Sequence, residues 1–401
     1  VKEAMALEGL MVLEFGQLVA APSAGRILAD FGAKVIKVEP PDGDPLRHWG
    51  EGAPDADSWW WYTQARNKRL ISIDLKTVEG RGVARELAKR CDILIENLLP
   101  GRLEAWHLGY DQVVAENPSI IYASISGFGQ SGPYRDRAGF GNIAESMGGI
   151  RYITGFPDRP PLRTGVSVGD ELAALQAVIG ILTALHRRNQ DPEGHGDFVD
   201  VALTEAVLSI TEGLLPEYLN AGLVQERTGN QLLRAAPSNI YPTADERWIA
   251  IGANTLGTFG KLAEAMGRPD LKADARLSTN EGRVEQVEKL DADIAKWTQQ
   301  HELHTLVNLL AEFGVPAGPV MDAEQIAEDP QIQDRDMIQY VSIEDGERVG
   351  MLNVVPRLTN TPGQVRWAGG RVGQHTNAVL SEVLEYPPDV IDHLRAVGAV
   401  R

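Results

Sequence analysis

Residues 166–175 read VSVGDELAAL, a Gly-Asp pair between an apolar stretch and a long helix-forming segment. Asp170 supports two readings. Asp is among the best helix N-caps, contributing about 1 kcal/mol by accepting a bond from a free N–H. The same place suits a nucleophile, because the positive end of the helix dipole and its free N–H groups hold a carboxylate ionised near neutrality. An ionised carboxylate with open access attacks an activated carbonyl to form a covalent intermediate. Gly169 removes one side chain from that approach. Glu171 follows at once, inside the first turn, where a charge complements the dipole. Spacing alone leaves cap and nucleophile both open.

Other signatures of chemistry are sparse. GFGQSG (127–132) matches G-x-G-x-x-G after an expected strand, but Pro133 and PYRDR follow and no helix opens to face a pyrophosphate. It reads as a glycine-rich loop at a strand end, where ligands of α/β sheets collect. FGQLVAAPSAG, the first β-α turn, carries no fingerprint, so nicotinamide chemistry has little support. HELHT (301–305) lacks the i, i+4 histidine pair of a helical zinc site, and no metal site is expected. There is no G-x-S-x-G elbow, which argues against a serine hydrolase. Cys91, the single cysteine, sits in CDILIE as a buried strand residue and excludes an internal disulfide.

The elements that must position Asp170 follow from periodicity. LMVLEFG (10–16), KVIKVEP (34–40), LISIDL (70–75), CDILIEN (91–97) and SIIYASISG (119–127) are short apolar runs. Helical patterns at 21–32 and 77–90 separate them, which predicts parallel β-α-β units and an α/β fold. ELAALQAVIGILTALHRR (171–188) is apolar almost all round, a helix buried on several sides. YPTADERWIAIGA (241–253) predicts a hairpin turning at 244–246, followed by two helical stretches in an α+β region. GVPAGPV (314–320) marks a return, and the tail rejoins the first domain with a last helix near 375–385. The expected boundaries are a large domain from 1–200 and 325–401, a small domain at 225–315, and linkers at 201–224 and 316–324.

With 38 basic against 56 acidic side chains the net charge is −18, which opposes binding to nucleic acid or to an anionic membrane. Any polyanionic ligand then needs a local basic patch. No run approaches the ~18 apolar residues of a membrane span, and VKEAMALEG lacks a signal-peptide core. A cytoplasmic protein is expected.

LEGLMVLEFGQLVAAPSAGRILADFGAKVIKVEPP, NKRLISIDLK, ENLLPG, SISGFGQSGPYRDRAGF and GVSVGD resemble, in order and spacing, the class III CoA-transferases of the formyl-CoA transferase type. YPTADERWIAIGA, MGRPDL, GVPAGPV and GQHT extend the resemblance over nearly the whole chain. It implies a Rossmann-like large domain formed by both chain ends, a smaller inserted domain and an interlocked homodimer. It implies Asp170 as the nucleophile that moves CoA from an acyl-CoA donor to a free carboxylic acid, with no cofactor beyond the coenzyme A thioester. For CoA contacts it implies Gln17, Val19 and Ala20 at the thioester, Ile73 and Lys76 near the adenine and phosphates, and Asn97 and Leu98 along pantetheine and nucleotide. Arg135, Arg137 and Phe140 join them, the two arginines with Lys76 supplying local positive charge. Gly252 and Gly257 match a water-excluding loop. Leu99 and Ala105 stand where the family often has Arg, and Pro40 where some members do, so the phosphate clamp differs.

The related acyl-CoA racemases carry a catalytic His where this chain has Phe140, which has no titratable group. A racemase, a dinucleotide-dependent oxidoreductase and a non-catalytic CoA-binding protein remain the alternatives. Arg47 and the aromatic run Trp59 to Tyr62 are expected to face the far end of the acid.

Overall fold

Six short apolar strands form one parallel sheet: β1 (Met11–Glu14), β2 (Lys34–Glu39), β3 (Lys68–Ser72), β4 (Ile93–Glu96), β5 (Ile121–Ser126) and β6 (Asp197–Ala202). The structure is a computed structural model that describes residues 4–52, 57–232, 234–343 and 346–401. The strand order is β3-β2-β1-β4-β5-β6, with Leu13 of β1 level with Ile36 on one side and Leu94 on the other. Successive side chains of a strand point to opposite faces, so an unbroken apolar run requires cover on both. Val12, Val35, Ile93 and Ile121 face a core closed by helices Ala20–Asp30, Val168–Gln190 and Leu203–Leu208. Leu13, Ile36, Ile71 and Leu94 face the other, closed by Val78–Arg90, Thr376–Glu382 and Pro388–Ala396. After GFGQSG the chain runs without a helix to Gly141, as expected of a strand-end loop.

The chain divides into two compact units, 1–150 with 164–216 and 331–401, and 151–163 with 217–330. These boundaries differ from those expected. Residues 151–163 join the second unit because Tyr152 Oη donates to Glu226 at 2.9 Å, Arg227 Nη1 donates to Tyr152 O at 2.9 Å, and Gly229 N–H donates to Gly155 O at 2.9 Å. Residues 201–216, expected as a linker, belong to the first unit, where Leu203, Ala206 and Val207 enter its core.

The second unit contains an antiparallel sheet of β7 (Ser238–Pro242), β8 (Trp248–Gly252) and β9 (Ala317–Pro319). Tyr241 pairs with Ile249 and Glu246 takes φ +59°, so the expected hairpin turns where YPTADERW placed it. In the first unit, β10 (Ile338–Ser342) and β11 (Arg348–Leu352) form a hairpin over a core of Leu46, Trp61 and Leu70.

The long helix Val168–Gln190 is not buried all round. Ala173, Ala174, Ala177, Ile181 and Ala184 pack inward, while Leu175, Ile179 and Leu182 are exposed. By length and composition it also meets the test for a membrane span, contrary to expectation. Its alanine stripe is the reason it lies in a core: small side chains let it approach the first helix and the sheet closely.

Candidate active site

In a doubly wound sheet, ligands bind beyond the carboxyl ends of the strands where the order reverses. Here that switch point lies between β1 and β4. The loop after β1 leads to a helix on one face, and the loop after β4 sends Leu103 into the core of the other. Gln17 and Asn97 join the diverging loops by a reciprocal pair. The Gln17 N–H donates to Asn97 Oδ1 at 2.9 Å, and Asn97 Nδ2 donates to Gln17 O at 3.0 Å.

Beneath them lies a buried ionic cluster. Lys37 Nζ reaches Glu14 at 3.1 Å, Asp44 at 2.8 Å and Gly16 O at 2.7 Å. Lys68 Nζ donates to the other Glu14 oxygen at 2.8 Å and to Pro22 O at 2.7 Å. Burial opposes the charge on both lysines. At Lys37 the carboxylates of Asp44, Glu14 and Glu39 outweigh it and hold the ammonium above its ordinary value. At Lys68, Glu14 offsets burial only in part, and the pKa falls to about 8. Burial also opposes the Asp44 charge, but Lys37 and the N–H groups of Leu46 and Leu18 hold this carboxyl low.

Asp170 is the third residue of its helix, within the first turn, so it is not the N-cap; Ser167 occupies that position. The expected helix start moves because Val168 and Gly169 are drawn into the first turn. Gly169 does not open an approach path as expected. It is buried, and a Cβ there would lie 2.9 Å from Gly141 O and 3.4 Å from Glu145 Cγ, so its role is close packing of two helix starts. The Asp170 carboxylate instead fills the space over Gly141, where a Cβ would meet Oδ2 at 2.1 Å. The long helix lies in the crossover between the parallel strands β5 and β6, so it starts near their carboxyl edge, and Gly141 lies against that start.

Residues that the sequence did not single out tie the neighbours of Asp170, Gly169 and Glu171, to adjoining elements. Ser23 Oγ, on the first helix, donates to Glu171 Oε1 at 2.9 Å. Gln64 Nε2 donates to Ser23 Oγ at 2.8 Å and to Val19 O at 3.1 Å. Glu171 therefore does more than complement the dipole. Buried Glu145 accepts from the Gly169 N–H at 3.4 Å. Their signal is a polar residue placed where its element is otherwise apolar, visible only once burial is known.

The remaining expected residues are spread along the same edge. Ile73 and Lys76 follow β3, Ile73 bridged to Val400 and Lys76 exposed. Val19 and Ala20 are buried at the head of the first helix. Asn97 and Leu98 follow β4, and the Leu98 N–H donates to Glu96 at 2.7 Å. Burial pushes the Glu96 carboxyl up to about 7, against the bonds from Ser124 and Leu98. After β5, Arg135 is half-buried with Nε shielded and unbonded among the described residues. Arg137 stacks on Tyr134 at 3.8 Å, and Phe140 is exposed just before the helix that starts at Gly141.

Arg47 does not face a substrate. It is buried, with Nε and Nη2 on the two Glu39 oxygens at 2.8 and 2.7 Å. Nη1 reaches Asp57 at 2.7 Å and Gly370 O at 3.0 Å, and the guanidinium lies 3.8 Å over Trp61. Four of its five N–H donors are used in these bonds and the side chain is buried, so it is not presented to a second carboxylate. The aromatic run divides likewise: Trp59 and Trp60 are exposed, Trp61 and Tyr62 buried.

Residues 7–376 match the sequence profile of CoA-transferase family III. The chain is 48% identical over 391 residues to the succinyl-CoA–D-citramalate CoA-transferase of Chloroflexus aurantiacus, covering 97% of each chain. It is 33% identical to the succinate–glutarate CoA-transferase of Agrobacterium fabrum, covering 94% of this chain and 95% of that one. Among solved structures, a CaiB/BaiF family protein from Brucella suis matches with a TM-score of 0.85 at 34% identity, covering 95% of this chain and 100% of that one. The dinucleotide oxidoreductase, racemase and non-catalytic alternatives give way to this agreement of sequence, fold and chain coverage. The chain belongs to CoA-transferase family III and is a CoA-transferase.

Proposed function

We propose that the enzyme transfers CoA from succinyl-CoA to a small hydroxylated dicarboxylic acid of the citramalate or malate type, with Asp170 as the covalent nucleophile. The donor and acceptor class come from the likeness to the D-citramalate enzyme and, at 36% identity, to the beta subunit of a succinyl-CoA–L-malate CoA-transferase of the same organism. One observation carries the role of Asp170: its carboxylate occupies the gap over Gly141 at the carboxyl edge of the sheet, half-buried in the first turn of a long helix.

An Asp170 oxygen attacks the thioester carbonyl, the C–S bond breaks, and CoA leaves as thiolate from a mixed anhydride. The thiolate attacks the Asp170 carbonyl, forming an aspartyl-CoA thioester and releasing succinate. The acceptor carboxylate repeats the sequence in reverse, and Asp170 is regenerated. Each bond formed matches one of similar energy broken, so one hard displacement becomes several easy ones. Gln17, Val19, Ala20, Asn97, Leu98 and Phe140 line the reacting end, and Ile73, Lys76, Arg135 and Arg137 hold the nucleotide. The arginines supply the positive charge that a protein of net charge −18 needs for CoA phosphates. The reaction uses no cofactor beyond the CoA thioester.

We further infer an interlocked homodimer acting in the cytoplasm. The exposed stripe Leu175, Ile179 and Leu182, with Ile143, Met147 and Leu208 also exposed, supports self-association. A single buried cysteine suits a reducing compartment.

Incubation of the enzyme with succinyl-CoA and then hydroxylamine leaves a hydroxamate on the Asp170 peptide, detected by mass. Asp170→Ala abolishes both the adduct and the transfer. Retained transfer in that variant would reject the mechanism, and no transfer from succinyl-CoA to either hydroxy acid would reject the substrate class.

A further inference from the structure

Gly16, Gln17 and Leu18 form the elbow between β1 and the first helix. Each is gripped through its backbone by a side chain from elsewhere on the sheet edge. Lys37 Nζ donates to Gly16 O at 2.7 Å, and Asn97 brackets Gln17. The Leu18 N–H donates to both Asp44 oxygens, at 3.1 and 3.3 Å. Leu18 stands at φ +60°, in the left-handed region that residues with a side chain rarely adopt. Such a backbone persists only where its surroundings over-determine it, and it tends to occur at functional sites.

Lys37 and Asp44 pair with each other at 2.8 Å, and each is only 1% exposed. One buried pair thus holds the residues on both flanks of Gln17. A buried ion pair contributes little net stability once desolvation is counted, and an apolar pair of similar volume often serves as well. What this pair adds is position. Val19, next in the chain, is tied through Gln64 and Ser23 to Glu171, the neighbour of Asp170.

We propose that Lys37 and Asp44 are positioning residues for CoA transfer. By locking Leu18 in its left-handed conformation, they fix Gln17 and the head of the first helix at the switch point in one arrangement throughout turnover. The inference rests on the transfer reaction proposed above. An elbow already in place spares each step the loss of rate that a displaced reacting group brings.

Transfer from succinyl-CoA to D-citramalate by the full chain provides the test, with kcat and KM measured separately. Asp44→Asn keeps an acceptor oxygen but removes the ion pair; kcat falls about tenfold or more while KM for both substrates stays within about threefold. Adding Leu18→Gly restores most of that loss, because glycine takes φ +60° without being held there. Leu18→Gly alone completes the cycle and gives the coupling between the two sites. The variant Lys37→Met/Asp44→Asn removes both charges together, so that neither is left unpaired in the core, and shows the same loss and the same rescue.

A folded Asp44→Asn enzyme with kcat within about twofold of wild type overturns the proposal, as does a Leu18→Gly double variant whose loss is the product of the single losses. Wild type that transfers while these variants do not respond refutes the positioning role alone. Wild type that forms no Asp170 adduct refutes the reaction itself.

Discussion

A methyl group on Gly141 would lie 2.1 Å from Asp170 Oδ2, well inside van der Waals contact. The atom it strikes is the end of a rotatable side chain, so the fold can yield and the proposed nucleophile must turn. Gly141→Ala should therefore lower kcat by about a hundredfold while the melting temperature moves little, because a displacement of ~1 Å at a reacting group has that effect. An unchanged kcat would show that the carboxylate reacts from another rotamer.

Glu96 offers a second test at the residue scale. Its folded pKa of about 7 lies above the ordinary 4.5, so the folded state holds this proton more tightly than the unfolded chain does. The resulting stability is fully present below pH 4.5 and is lost as pH rises through about 7. Glu96→Gln imitates the protonated form. It should flatten the wild-type decline in this window and be the more stable by up to about 3 kcal/mol above it, measured by denaturant titration across pH. Gln64, Ser23 and Glu145 were not legible as site residues. Their types are ordinary, and only their burial beside Asp170 and Val19 gives them a role.

At the scale of elements, the loops after β1 and β4 meet through the side chain of Asn97. Asn97→Ala removes both bonds to Gln17 and leaves a part-buried N–H and C=O to find other partners. The acyl-CoA KM should rise about tenfold, equivalent to ~1.4 kcal/mol, with kcat less affected. Initial-rate kinetics at saturating acceptor would measure it. The strands and most helices were legible because unbroken apolar runs and 3.6-residue stripes are local patterns. The start of the long helix was not, since Val168 and Gly169 are weak helix formers that enter its first turn where Gly169 packs against Gly141. The final helix Pro388–Ala396 also went unread beyond the one expected near 375–385.

For the molecule as a whole, the exposed Leu175, Ile179 and Leu182 turn a nearly all-apolar helix into a surface that water disfavours. Ile179→Glu places a charge in the middle of that stripe. Wild type should sediment as a dimer of 43.7 kDa chains, and the variant should shift toward the monomer. A wild-type monomer at micromolar concentration would remove the dimer from the account. The division into units was the least legible feature at this scale. Residues 151–163 join 217–330 through Tyr152, Arg227 and Glu226, and no periodicity records a pairing between segments so far apart in sequence.

The sequence by itself determined the doubly covered α/β sheet, the hairpin at 241–253, and Asp170 as a carboxylate at the start of a helix, because propensity and periodicity act over a few neighbouring residues. The order of motifs along the chain pointed to the family. Packing of distant segments settled what stands beside Asp170, that Arg47 is buried on Glu39 and Asp57, and that Leu18 is held at positive φ by a buried ion pair. Those outcomes depend on which strands become neighbours. Partners drawn from β1, β2 and β4 meet at one edge through the sheet order, and that order is a property of the packed chain rather than of any local stretch.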